Sequence, residues 1–360
     1  MFSLAELTIL DVGHGNCAIL RDDRGAVIID AGLGETLLEF LEQREITVID
    51  AVLISHADAD HIAGLLTLLA QEHIAVGAVF LNTETLRQTA LWHALLVALT
   101  DARRRRAVKV HAQLTSTSSE LLRRDEIEIQ ILAPSPEIAL VGAGGQPPGD
   151  RPLLSANAMS AVVRIVVNEI PEVLLPGDLD AVGLEHLLAE YPEPRARVLV
   201  FPHHGGRPAR ADPEDFAARL CAVVRADLVV FSISRRKHAT PQPEVIRGVL
   251  QAAPGAHIAC TQLSERCAAR LPSAPPTHLN ERPARGHVGN ACCAGTIELT
   301  FGNATPTYTP ARSSHQAFVE REAPTALCMG RGTFVGHTPE AGEGGEQRPS
   351  RRRGLPVAGK

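Results

Sequence analysis

Short apolar runs of strand length alternate along most of the chain with longer stretches whose apolar residues recur at helical spacing. LAELTILDVG and GNCAILRDDRGAVIIDAG read as three strands of a meander, with a turn at Asp22–Gly25. GETLLEFLEQREI has helical period, and DAVLISH follows as a buried strand. IAGLLTLLAQE predicts a helix and AVGAVFLN a strand. A long helix over TETLRQTALWHALLVALTDARRRR ends in arginines, the charge that a helix C-terminus favours. AVKVHAQL and EIEIQILAP are strands, the second strictly alternating, and residues 141–156, rich in Gly and Pro, predict a loop.

The second part repeats the theme. SAVVRIVVN and PEVLLPGD form a hairpin-like pair; RVLVFPHHGG and DLVVFSIS are further strands. AVGLEHLLAEY, DPEDFAARLCAVVRA and PQPEVIRGVLQAA are helices, the last tolerating Pro in its first turn. Strands in both halves with helices between them fit two packed sheets carrying helices on their outer faces. From about residue 304 the pattern gives way to Pro, Gly, Ser, Glu and Arg, so residues 304–360 are expected to lack fixed structure.

Composition narrows the class. The 360 residues are 45% hydrophobic and 21% charged, with a net charge of −6, which argues against a general nucleic-acid coat protein. No stretch approaches the roughly 20 apolar residues of a membrane helix, and MFSLAELTILDVGHG lacks the basic and apolar regions of a secretory signal. The expectation is a soluble, cytoplasmic protein. Seven cysteines in such a chain suggest reduced thiols or metal ligands rather than a disulfide framework.

The candidate chemistry is concentrated in SHADADHIAGL, where His56, Asp58, Asp60 and His61 crowd beside a core strand. Polar groups this close to a core need a partner that offsets their desolvation, and His and Asp are ligands of divalent cations. Other apolar strands also end in a potential ligand: VIID in Asp30, EVLLPG in Asp178, RVLVFP in His203 and His204. Repetition in both halves predicts that these strand ends meet at one metal site.

HADADH resembles the H-x-[HD]-x-D-H signature of the metallo-β-lactamase superfamily, and VIIDAG, LLPGDLD and FPHHGG resemble its other motifs in order. LDVGHGN, NAMSAVVRI and the paired HHG resemble more closely the hydrolase domain of ComEC-type competence proteins and their stand-alone relatives, over residues 6–250. The resemblance implies an αβ/βα four-layer sandwich of two mixed β-sheets flanked by helices. With the composition of the last residues, the chain is expected to divide into a hydrolase domain (1–256), a Cys-containing C-terminal extension of that domain (257–303) and the tail (304–360). The resemblance implies one or two divalent ions, Zn or Mn. His56 and Asp58 would hold the first, and Asp60, His61 and one of His203 and His204 the second. Asp178 would bridge them, with Asp60 and Asp178 the catalytic carboxylates.

Asp30 would orient ligands from behind. Asp11, His14, Asn157, Ser160, His204 and His238 would serve as supporting or substrate-facing groups. This chain departs from the family pattern in several places. Asp58 stands where the β-lactamases carry histidine, and no histidine lies between residues 112 and 185, where a further first-site ligand is usual; Asn157 and Ser160 occupy that stretch. The competence-type DVGQGD is DVGHGN here, and YGHP is HATP, with His238 two places before the expected histidine. The implied activity is metal-dependent hydrolysis of a phosphodiester, nucleic acid included. The rivals are a hydrolase of small thioesters or lactones, and a non-catalytic binding protein with an incomplete centre.

Arg235, Arg236 and Lys237 follow DLVVFSIS and are candidates to grip a phosphate, against the alternative of a solvated turn. Cys260, Cys267, Cys292 and Cys293 bracket a Pro-rich loop of low apolar content, which a structural zinc would hold; free thiols are the other reading.

Overall fold

The computed structural model describes residues 5–330, apart from 85–86, 125, 150 and 303–305. The first half forms β1 (Ala5–Ile9), β2 (Ala18–Arg21), β3 (Ala26–Ile29), α1 (Thr36–Gln43), β4 (Val48–Leu53), α2 (Ala59–Leu69), β5 (Ala75–Phe80), α3 (Ala90–Arg106) and β6 (Lys109–His111). The second forms β7 (Ile127–Ala133), α4 (Pro136–Val141), β8 (Val162–Val167), β9 (Ile170–Leu175), α5 (Ala181–Glu190), β10 (Val198–Val200), α6 (Pro213–Val224), β11 (Leu228–Phe231), α7 (Pro243–Ala252) and β12 (His257–Cys260). β13 (Ile297–Phe301), β14 (Thr307–Thr309) and α8 (Arg312–Glu322) follow.

Two mixed sheets result, in the orders β14-β13-β1-β2-β3-β4-β5-β6 and β12-β11-β10-β9-β8-β7. In each, an antiparallel stretch runs into parallel strands, β3 to β6 in the first and β9 to β12 in the second. The strands carry apolar residues on both faces because both faces are covered. In β11, Leu228 and Val230 meet the other sheet, while Val229 and Phe231 meet the helices outside. One core layer lies between the sheets, and one lies between each sheet and its helices. This is the expected αβ/βα four-layer sandwich. Among the described residues no helix is long and apolar enough to cross a membrane.

The long helix α3 starts at Ala90, later than its sequence pattern, because the Thr89 side chain accepts the Trp92 N–H and caps it there. The C-terminal part differs more. The expected extension over residues 257–303 supplies β13, which pairs along its whole length with β1 and stands inside the first sheet. The expected structureless tail is corrected over residues 306–330. β14 extends the sheet beside β13, and α8 buries His315, Phe318 and Val319. A few apolar side chains on a mostly polar helix suffice once an exposed core face waits for them; composition averaged over the segment hid them. The rest of the expected tail, residues 331–360, lies outside the described residues.

Candidate metal centre

The parallel strands deliver their chemistry at their C-terminal ends, as open α/β sheets do. β4 runs into Ser55 and His56. Asp58 takes extended backbone as the residue before α2, so Asp60 and His61 occupy that helix's first turn. Neighbouring loops hold this turn: the Ala31 N–H donates to the His61 carbonyl at 2.8 Å and the Gly64 N–H to the Ala31 carbonyl at 2.8 Å. A Cβ on Gly64 would lie 2.5 Å from the Gly32 carbonyl oxygen, so the helix packs this closely only with glycine there.

Behind the motif, Asp30 sits in the left-handed region (φ +57°) and spreads its carboxylate over three donors. Oδ1 accepts the Ser55 N–H at 2.7 Å; Oδ2 accepts the Ser55 hydroxyl at 2.8 Å and lies 2.8 Å from His61 Nδ1. Asp178 follows β9 on a turn at Gly177 (φ +55°), and its N–H donates to Ser160 Oγ at 3.1 Å. A Cβ at Gly177 would meet Ser160 Oγ at 2.3 Å and Ser55 Oγ at 2.6 Å. After β10, His203 and His204 both adopt positive φ (55° and 54°), a costly pair for non-glycine residues that sends the two rings apart. His204 Nδ1 donates to the Ser232 carbonyl at 2.8 Å, which leaves Nε2 as a lone-pair donor.

Two donor sets result. Asp60, His61, Asp178 and His204 form one, and His56, Asp58 and Asp178 the other; within each set the ligand atoms lie within 4.8 Å of one another. Asp178 belongs to both. Its Oδ1 is 3.3 Å from His61 Nε2 and 3.6 Å from His204 Nε2, while Oδ2 is 3.9 Å from His56 Nε2. Three of these buried atoms, His56 Nε2, His61 Nε2 and Asp178 Oδ1, have no hydrogen-bond partner. Orphaned buried acceptors are rare because each is costly, and here they converge. The donor set fits divalent cations: borderline imidazoles with hard carboxylates, in two groups that share one carboxylate.

The charges agree. Burial opposes ionisation of Asp178, yet His204 and His61 hold its carboxyl well below the usual range. Burial likewise opposes protonation of His61, yet Asp30 and Asp178 hold it well above the ordinary histidine value. Cation and carboxylate thus occupy one buried space, which a metal ion resolves by replacing the imidazole proton.

His56, Asp58, Asp60, His61, Asp178 and one of the paired histidines come together as the sequence suggested. His203 does not join the Asp60 group. Its Nδ1 stands 3.0 Å from Asp178 Oδ2, on the side that faces His56, and 3.4 Å from Asn157 Nδ2. His14 Nε2 lies 3.2 Å from Asp60 Oδ2, and the rings of His14 and His238 are 4.5 Å apart. Burial, then the neighbouring His204, pushes His14 down to about 3.

Arg235 and the cysteine group depart from expectation. Arg235 is buried, and its guanidinium donates to the carbonyls of Leu263, Ala268 and Ala269 at 2.7, 2.8 and 3.1 Å, so it fastens a loop rather than a substrate. Arg236, Lys237 and His238 are exposed. Asp11 is buried and accepts from the Gly13 and Gly286 N–H groups and the Gln262 amide, tying the DVGHG loop to the C-terminal segment. Cys292 leaves the cysteine group to point at Asp11, and Cys328 takes a place beside the other three. The sequence reading missed the supports Ser55 and Gly177, and it missed Arg87, which pairs with both Glu84 and Asp58. Ser55 stood in the quoted motif, but Arg87 carried no signal.

The family model of the metallo-β-lactamase superfamily matches residues 10–156. Among solved structures, the metallo-β-lactamase-fold protein YhfI from Bacillus subtilis is 13% identical, over 72% of this chain and 96% of its own, with a TM-score of 0.46. Igni18, a metallo hydrolase from the archaeon Ignicoccus hospitalis, is 16% identical over 71% and 94%, with a TM-score of 0.43. A diphosphatase of the PhnP family is 15% identical over 71% and 94%, with a TM-score of 0.42. No curated protein sequence matches the chain.

Proposed function

We propose that the chain is a metal-dependent hydrolase acting on phosphodiesters, nucleic acid among them; the match of residues 10–156 to the metallo-β-lactamase superfamily model supports this reading. The observation that carries this reading is the carboxylate of Asp178 placed between two donor sets, with orphaned nitrogens of His56 and His61 facing it. Divalent ions held there supply Lewis acidity and lower the pKa of water. In this reading His56, Asp58 and Asp178 hold one ion, and Asp60, His61, His204 and Asp178 the other. Asp30 fixes the His61 ring and the Ser232 carbonyl fixes the His204 ring, so neither turns as substrate arrives.

Cationic groups near the centre support an anionic substrate. Lys237 is close enough to His14 to disfavour its protonation, and Arg87 reaches Asp58. The carboxylate-rich donor set inclines the centre toward Mn²⁺ rather than Zn²⁺. The likeness of LDVGHGN and HHG to ComEC-type hydrolase domains supports nucleic acid as the phosphodiester. Seven cysteines, none in a disulfide, suit the reducing cytoplasm.

The rival of a non-catalytic binding protein draws on the first site's missing histidine. Against it speaks His203, whose ring stands beside Asp178 Oδ2, on the side that faces His56. Turnover by the purified protein tests the reading on single-stranded DNA, duplex DNA, RNA and bis(p-nitrophenyl) phosphate, with Mn²⁺ and with Zn²⁺. Small thioesters and lactones form a parallel arm. Metal-dependent phosphodiester cleavage abolished by chelation is expected. Activity confined to thioesters or lactones overturns the substrate class, and no metal uptake at all overturns the enzyme.

A further inference from the structure

Four cysteines from four separate segments meet outside the His/Asp centre. Cys260 ends β12, Cys267 lies in the loop that follows, Cys293 precedes β13, and Cys328 sits in a 3-10 turn beyond α8. All four line one cavity of about 10 Å³, room for about one water-sized sphere, and no polar atom faces into it. Small-hydrophobe packing accounts for Cys17, the one cysteine of its core layer among the described residues, and for Cys221, which does not line this cavity. It does not explain why four of seven cysteines surround a single void.

Polar groups nevertheless reach two of the four sulfurs. The Cys260 backbone is turned to the Cys293 thiol, and the Leu327 backbone to the Cys267 thiol. His315 Nε2 lies 3.2 Å from Cys293 Sγ, and its Nδ1 lies 3.0 Å from His257 Nε2. With His257 donating to His315 Nδ1, His315 Nε2–H donates to the Cys293 sulfur, the arrangement that orients a metal-bound ligand. Burial and the three neighbouring cysteines push the Cys260 thiol well above its ordinary value, so these sulfurs stay protonated until a cation replaces the protons.

We propose that Cys260, Cys267, Cys293 and Cys328 bind a structural zinc ion as four thiolates. Tetrahedral thiolate sites hold Zn–S at about 2.3 Å, and binding releases the thiol protons to solvent. Among the described residues no three of these sulfurs lie within 4.8 Å of one another, so they close in as the ion enters, and the central cavity gives the room. The ion fastens the 3-10 turn after α8 and the segment before β13 to the end of β12. That closes the first sheet's C-terminal strands over the second sheet's helices. The Pro-rich loop between Cys267 and Cys292, poor in apolar side chains, is thereby anchored at both ends.

Cobalt(II) exchanged into the full-length protein tests this. Thiolate ligation gives a sulfur-to-cobalt charge-transfer band in the near ultraviolet, which a centre of His and Asp cannot give. The parent is expected to show the band. Cys328→Ser should lose most of it together with one bound ion, and Asp178→Asn, which damages only the other centre, should keep it. In zinc-loaded parent, a thiol-specific mercurial should release one ion that Asp178→Asn still holds. A folded parent with no charge-transfer band, or with no mercurial-released zinc, overturns the proposal. Neither result bears on hydrolysis, because the His/Asp centre contains no sulfur.

Discussion

Asp30 Oδ2 lies 2.8 Å from His61 Nδ1, and this contact aims the opposite nitrogen of a fully buried ring at Asp178. The carboxylate holds the ring proton on Nδ1, so Nε2 meets a cation with its lone pair. Asp30→Asn keeps the volume and loses the charge. Metal affinity is expected to fall about 10- to 100-fold with the fold retained. Chelator competition alongside circular dichroism measures both; unchanged affinity would leave Asp30 a purely structural role.

Asp178→Asn removes the charge common to both donor sets at nearly constant shape. Hydrolysis should drop by orders of magnitude and bound metal should fall. Asp180, two residues on, is the control: it accepts the Gly183 N–H at 2.9 Å as the cap of α5 and the Ser155 hydroxyl at 2.6 Å. Asp180→Ala should cost about 1 kcal/mol of stability and leave the ligand set intact. Equal turnover in Asp178→Asn and parent, at full metal occupancy, would rule out the shared-ligand role.

Gly177→Ala adds a methyl group at positive φ, against the hydroxyls of Ser160 and Ser55. The strain is on the order of 1–3 kcal/mol, and relief requires moving Asp178 or Ser55. A lower urea midpoint together with weaker metal binding is expected. A variant as stable and as metal-avid as the parent would show that the turn relaxes without cost.

Ending the chain at residue 302 removes β14 and α8. Phe318 and Val319 are each 2% exposed, and losing such side chains forfeits about 1.5–3 kcal/mol apiece. A clear drop in melting temperature is expected; an unchanged one would mean that α8 contributes no packing.

His257 and His315 are buried and in contact, and burial pushes them down to about 4 and about 3. The unfolded chain therefore binds more protons than the folded one between those values and the ordinary 6.5. Their contribution to stability is full above pH 6.5 and declines as pH falls through that window. In the metal-stripped protein, urea midpoints should decrease on acidification, and less steeply in His257→Gln. Parallel slopes for the two proteins would count against the pair as the acid-sensitive element.

The sequence by itself determined the strand runs, most helices, and the cluster at residues 56–61. Those signals are local: an apolar face needs burial, and a polar cluster beside a core strand needs a partner. The tertiary structure decided what depended on distant contacts. β13 earned no prediction from its own few residues, yet pairs with β1 across nearly the whole chain. Arg235 looked like a free cation until three carbonyls of a later loop closed around it. The left-handed turn at residues 203 and 204 divided two adjacent histidines between opposite oxygens of Asp178, and no spacing rule specifies which ring turns which way. Cys328 joined Cys260 only because α8 packs on the second sheet's helices and carries the turn that follows it to the cavity. Local period reads which residues seek burial; only packing assigns each its neighbour, because the deciding contacts lie tens to hundreds of residues apart along the chain.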